Sequence, residues 1–133
     1  MNNKLFFMVC VFGIALSFAC KKDEETTPDP ISIPANCQDT TQYNYTDDIQ
    51  SILITHCSDN GCHNAASNRS GLNVHSYQSV IQTINKSNSN FLRRIKREGG
   101  VNPMPPNNSS QAPLNADQVS KIACWIEQGL KEN

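Results

Sequence analysis

Cys57-Ser58-Asp59-Asn60-Gly61-Cys62-His63 is the stretch around which the chain is organised. It places two thiols with four residues between them and an imidazole directly after the second. Ser58-Asp59-Asn60-Gly61 is turn chemistry, because Asp and Asn bond their own backbone and Asn-Gly tolerates positive φ. The two thiols are therefore expected at the feet of a bulged loop. Just upstream, Ile49, Ile52 and Leu53 follow i, i+3, i+4 spacing, which predicts a helix from about Asp47 to Thr55 that delivers Cys57. Asp47 and Asp48 suit its N-terminal dipole, and Thr46 stands where a cap is needed.

Two cysteines followed at once by histidine form the pattern of covalent haem attachment, usually C-x-x-C-H. Here the spacer has four residues instead of two. Cys57 and Cys62 are the candidates for thioether bonds to haem vinyl groups, and His63 is the candidate iron ligand from one face. Met opposite His is a known axial pair that raises the reduction potential. Once a leader is removed, Met104 is the only methionine, in Asn102-Pro103-Met104-Pro105-Pro106. Prolines exclude a helix there and stiffen φ, so the loop presents a thioether at low entropic cost. The plainer reading of Met104 is a side chain packed on the core.

Other ligand sets use some of the same residues. His56-Cys57 and Cys62-His63, with His75 nearby, offer two Cys and two His of the kind that hold zinc. Zinc leaves the Met104 loop without a role. A local Cys57–Cys62 disulfide with His63 on the surface is the plain alternative. His56 and His75 read as helix-end or loop residues, with His75 in reserve as sixth ligand.

The chain resembles the small c-type cytochromes, in particular the haem c domains of lipoproteins from Bacteroidetes-like bacteria. Three stretches carry the likeness: Tyr45 to Leu53 running into Cys57 and His63, then Met104-Pro105-Pro106, then Trp125-Ile126-Glu127-Gln128-Gly129. They span roughly residues 43–133. The C-x4-C-H spacer departs from the family pattern. The resemblance implies one covalent haem c, His63 and Met104 on its iron, and first and last helices packed together.

The N-terminus reads as targeting. Lys4 precedes an apolar run from Leu5 to Ala19, short of the ~20 residues a membrane span needs. Leu16-Ser17-Phe18-Ala19-Cys20 looks like a bacterial lipobox, which implies cleavage before Cys20 and lipid on its thiol. Residues 1–19 are then a lipoprotein signal peptide, 20–36 a lipidated flexible tether and 37–133 the cytochrome c-like domain. The charged run Lys21-Lys22-Asp23-Glu24-Glu25 and the proline-rich Pro28 to Pro34 suit an extended tether. The location so implied is the outer membrane, on its periplasmic or cell-surface face. Cys37 and Cys124 remain, an even pair in an oxidising compartment, and are expected to form a disulfide.

Three more helices are expected. Tyr77, Val80, Ile81 and Ile84 form a full amphipathic stripe from about Ser76. A short helix near Asn90 turns Phe91, Leu92 and Ile95 inward, with Arg93, Arg94, Lys96 and Arg97 outward, and Gly99-Gly100 as its stop. That basic face reads as solvated, or as a docking patch or propionate partner beside a haem edge. In the last helix Asn115 caps, Gln118 completes a capping box and Leu114 staples to Val119. Val119, Ile122, Ala123, Ile126 and Leu130 make its stripe, with Cys124 on a flank. Trp125 fits either haem or core. No β alternation of useful length occurs, so the expected fold is all-α, a bundle of about four helices around one haem.

At 133 residues and a net charge of −1, the chain has room for one domain and no electrostatic basis for nucleic-acid binding. No nucleophile–base pair or phosphate loop is visible. Iron with both axial positions filled leaves no open site, which points to single-electron transfer with redox partner proteins rather than catalysis. The other classes in play are a haem-free, disulfide-stabilised surface lipoprotein that acts as a binding module, and a haem enzyme or sensor with a labile Met bond, peroxidase-like in type.

Overall fold

Asn44 opens the first helical segment: its side chain accepts the Asp47 N–H, and Asp48 Oδ2 accepts the Asn44 N–H at 3.0 Å. The computed structural model describes Cys37 and residues 41–133. The leader, the tether and Cys20 lie outside the described residues. A wide turn over Tyr45–Ile49 runs directly into α1, Gln50–Cys57. The helical segment as a whole thus starts earlier than the pattern of Asp47 to Thr55 suggests, although α1 itself begins at Gln50, and Cys57 stands on its last turn. The cap is Asn44 rather than Thr46 because the C-terminal tail claims Thr46. Both its N–H and its Oγ1 donate to the Glu132 carbonyl.

A single turn over Arg69–Gly71 follows, then α2, Tyr77–Ile84, α3, Phe91–Ile95, and α4, Ala116–Glu127. Ser76 caps α2 by accepting the Ser79 N–H. The described residues contain no strand, and the architecture is all-α. None of their helices is long and apolar enough to cross a membrane.

The last helix carries both halves of the capping box: Asn115 Oδ1 accepts the Gln118 N–H, and Gln118 Oε1 accepts the Asn115 N–H, each at 2.9 Å. Its buried face is wider than the predicted stripe and includes Cys124 and Trp125 as well as Val119, Ile122 and Ala123. Cys124 is on a flank, but the flank is covered. Cys37 lies against it in a disulfide, with both cysteines buried. Gln128 clamps the same crossing, its Nε2 donating to the carbonyls of Cys37 (2.7 Å) and Thr41 (3.3 Å) while its Oε1 accepts the Tyr43 N–H (2.9 Å). Leu130 lies beyond the helix rather than on its stripe, because Gly129 at φ 97° ends the helix in the left-handed region.

The core gathers Ile49 and Leu53 from the first segment, Val74 and Val80 from the middle, and Val119, Ile122 and Trp125 from α4. Burying each such side chain contributes roughly 1.5–3 kcal/mol. Tyr45 and Trp125 are the polar-tipped members. Their rings lie 5.9 Å apart, the Tyr45 hydroxyl donates to the Val74 carbonyl, and Trp125 Nε1 donates to the Lys131 carbonyl. Both of these polar tips are thereby paired. Trp125 is wholly buried in this core, which decides the alternative left open by the sequence. The Tyr45 N–H also donates to Lys131, so the first helical segment is stitched to the tail that follows α4.

Candidate functional site

The loop between the two thiols is closed, not splayed. Helix α1 ends where the Ser58 N–H and hydroxyl both bond the Ile54 carbonyl. The chain then turns at Asp59–Cys62, with the Cys62 N–H on the Asp59 carbonyl at 2.9 Å. The His63 N–H returns to the Cys57 carbonyl at 3.0 Å. Gly61 makes the turn possible by taking φ 78°, where an L side chain is disfavoured. Asn64 Nδ2 reaches back to the Ser58 carbonyl, and the Asp59 carboxylate accepts the Asn60 N–H. That backbone donor, with side-chain donors behind it, holds the Asp59 carboxyl below its ordinary value. The four spacer residues thus form a hydrogen-bonded turn that folds His63 back against the end of α1.

Cys57 and Cys62 are both thiols and both half-buried. Burial, with the nearby Cys62 charge adding to it, pushes the Cys57 thiol up to about 12. At neutral pH it is therefore a thiol rather than a free thiolate. His63 is shifted down, first by burial, so its ring is held toward the neutral form. Its Nδ1 lies 2.9 Å from the Arg69 carbonyl, which only accepts, so Nδ1 carries the proton and Nε2 the lone pair. A backbone carbonyl on one ring nitrogen, fixing the tautomer and orienting the other, is the arrangement typical of histidine metal ligands. The Val74 N–H on the His63 carbonyl ties this residue to the core.

Met104 arrives from a distant part of the chain. A cleft beside the Cys57–His63 turn has two lobes, of about 350 Å³ and about 450 Å³. Cys57, His63, Asn102 and Met104 line both lobes, and Cys62 lines the first. The first lobe is walled by Pro103, Pro105 and Pro106, the second by Leu72, Phe91 and Ile95. The second also contains Thr83, whose hydroxyl is buried without a hydrogen-bond partner. A buried hydroxyl left unpaired costs free energy that a ligand oxygen would recover.

The other histidines are placed differently. His56 reaches the first lobe, but both ring nitrogens are engaged: Nδ1 donates to the Ala112 carbonyl at 2.8 Å and Nε2 accepts from Gln118 Nε2 at 3.1 Å. It fastens α1 to the start of α4. His75 is exposed and lines neither lobe. Among the described residues no three His, Cys, Asp or Glu side chains converge as a metal cage.

The cations that the sequence left as solvated, docking or propionate-binding are partly exposed, and each has a partner within the chain. Arg93 and Lys96 both pair with Glu98, at 3.2 and 3.5 Å. Arg94 donates to the Asn102 carbonyl at 3.0 Å, and Arg97 to the Pro105 carbonyl at 2.8 Å and to Asn107. Sequence reasoning missed this contact. Its signal was present: three prolines around Met104 supply carbonyls but no N–H groups, so outside donors are needed.

Covalent haem c fits these residues. The two thiols, a histidine with a fixed tautomer, a lone methionine and an orphaned buried hydroxyl line one largely apolar cleft. Compared with known proteins, the chain matches no family model, no curated protein and no solved structure.

Proposed function

We propose that this protein is an electron-transfer c-type cytochrome, its domain a cytochrome c-like bundle tethered to the outer membrane through lipid on Cys20. Cys57 and Cys62 hold one haem covalently, and His63 and Met104 are its axial ligands. The observation that carries the reading is that Cys57, His63 and Met104 together line each of the two lobes although the methionine is 41 residues beyond the histidine in sequence. Bound haem supplies reversible one-electron chemistry at iron. The chain's own residues orient and enclose it. Arg69 sets the His63 tautomer, the proline loop presents the Met104 sulfur, and Leu72, Phe91 and Ile95 keep water from one wall. Filling both axial positions disfavours substrate chemistry and suits exchange of electrons with redox partner proteins.

The test is the intact mass of the mature protein, made with haem-attachment machinery. Covalent haem adds one porphyrin–iron unit, whereas the haem-free binding-module reading adds nothing. In the loaded protein, Met104→Ala should keep the haem attached, lower the reduction potential and let carbon monoxide bind the reduced form. An unchanged potential and no carbon monoxide binding would assign Met104 to packing. For the tether, Cys20→Ala should move the protein from the membrane to the soluble fraction, and a variant that stays membrane-bound would remove the lipoprotein reading.

A further inference from the structure

We infer that α3 and the residues closing it clamp the Met104 loop, with Arg94 and Arg97 as positioning residues for the methionine. The ligand consequence rests on the haem reading above; the clamp itself does not. The helix bonds the loop on both sides of the sulfur. Upstream, Arg94 Nη1 donates to Asn102, and the Arg94 carbonyl accepts the Met104 N–H itself at 3.0 Å. Downstream, Arg97 bonds the Pro105 carbonyl and the Asn107 side chain. Pro103, Pro105 and Pro106 have no N–H, so the loop has few donors of its own and takes them from the forked guanidinium groups. Glu98 draws Arg93 and Lys96 away, leaving Arg94 and Arg97 to the loop. Buried Ile95 anchors the helix to the core, so the clamp has a fixed base.

The backbone at Arg97 strengthens the case. The Glu98 N–H bonds the Arg93 carbonyl and the Arg97 N–H bonds the Arg94 carbonyl, a helix ending that puts Arg97 in the left-handed region at φ 60°. Glycine is the residue favoured at that position. Helix α4 ends by the same pair of bonds, Leu130 to Trp125 and Gly129 to Ile126, and has Gly129 there. An arginine held in a strained conformation while its side chain makes two bonds to the Met104 loop is where strain is expected to serve function. The predicted stop at Gly99-Gly100 therefore falls two residues late, since the helix is already closed at Arg97.

The decisive variant is Arg97→Gly, because it relaxes the backbone while removing the guanidinium. In the full mature chain it should keep its helix content and thermal midpoint. Amide exchange at Met104 should accelerate about tenfold or more, the loss expected for charged hydrogen bonds. Arg97→Lys should not restore protection, since an ammonium lacks the fork. Arg93→Ala, on the same helix but bonded to Glu98, should leave Met104 exchange within twofold. Met104 exchange unchanged in Arg97→Gly overturns the clamp. In the haem-loaded protein, Arg97→Gly should raise the apparent carbon monoxide affinity of the reduced form about tenfold, through a larger open fraction. If Met104→Ala admits carbon monoxide but Arg97→Gly does not change it, the positioning role is overturned. If the protein attaches no haem, the functional reading fails, and the exchange measurement alone decides the clamp.

Discussion

On the proposed haem reading, His63→Ala is expected to abolish low-spin iron ligation while leaving the haem covalently attached. The reason lies in what surrounds the ring. Its Nδ1 proton is committed to the Arg69 carbonyl, leaving Nε2 with the lone pair. No other imidazole is placed to substitute. His56 has both nitrogens engaged, by Ala112 and Gln118, and His75 is outside the cleft. The fold should survive, because the backbone bonds of His63 to Cys57 and Val74 do not involve the ring. Losing the side-chain bond to Arg69 costs about 1 kcal/mol. Absorption and electron paramagnetic resonance spectra of the oxidised variant make the check. A low-spin signal like that of the unaltered protein would show that His63 is not a ligand.

The largest effect on stability is expected from the Cys37–Cys124 bridge. The two residues are 87 apart in sequence, and closing a loop of that length is worth roughly 4–5 kcal/mol in the chain-entropy model. Changing both cysteines to alanine avoids burying a new hydroxyl at positions only 1% exposed. The urea midpoint should fall by about 2 M, taking a slope of about 2 kcal/mol per molar. Gln128 continues to hold the crossing through Cys37 and Thr41, so the segment should remain docked when the protein is folded. Neither cysteine lines the cleft, so on the proposed haem reading the spectrum should be nearly unchanged. A midpoint shift below a few tenths molar would mean that the bridge does not constrain the unfolded chain.

Local chemistry was legible where one stretch of chain decides it. The capping box at Asn115 and Gln118, the stripe around Val80 and the turn at Asn60-Gly61 each depend on residues a few positions apart. Where a distant segment competes, the local rule gives way. Thr46 is a good cap by composition, yet Glu132 takes its hydroxyl and Asn44 caps instead. Gly99-Gly100 is a good helix stop, yet the chain leaves the helix at Arg97, whose side chain is occupied by the Met104 loop. The four cations in and just after α3 look alike in sequence, and only their neighbours separate two paired with Glu98 from two bonded to proline-loop carbonyls.

By itself the sequence determined the helical class, the helices' approximate places and the roster of unusual side chains: two thiols beside an imidazole, and a single methionine among prolines. These follow from periodicity and covalent structure, which are properties of the chain alone. Only the tertiary structure decided that Met104 and His63 share a cleft, that Trp125 belongs to the core and that the flank bearing Cys124 is covered. It also decided that α3 faces the methionine loop. Each of these is a meeting of segments far apart in sequence, set by which apolar faces exclude water together and by which orphaned carbonyls find donors.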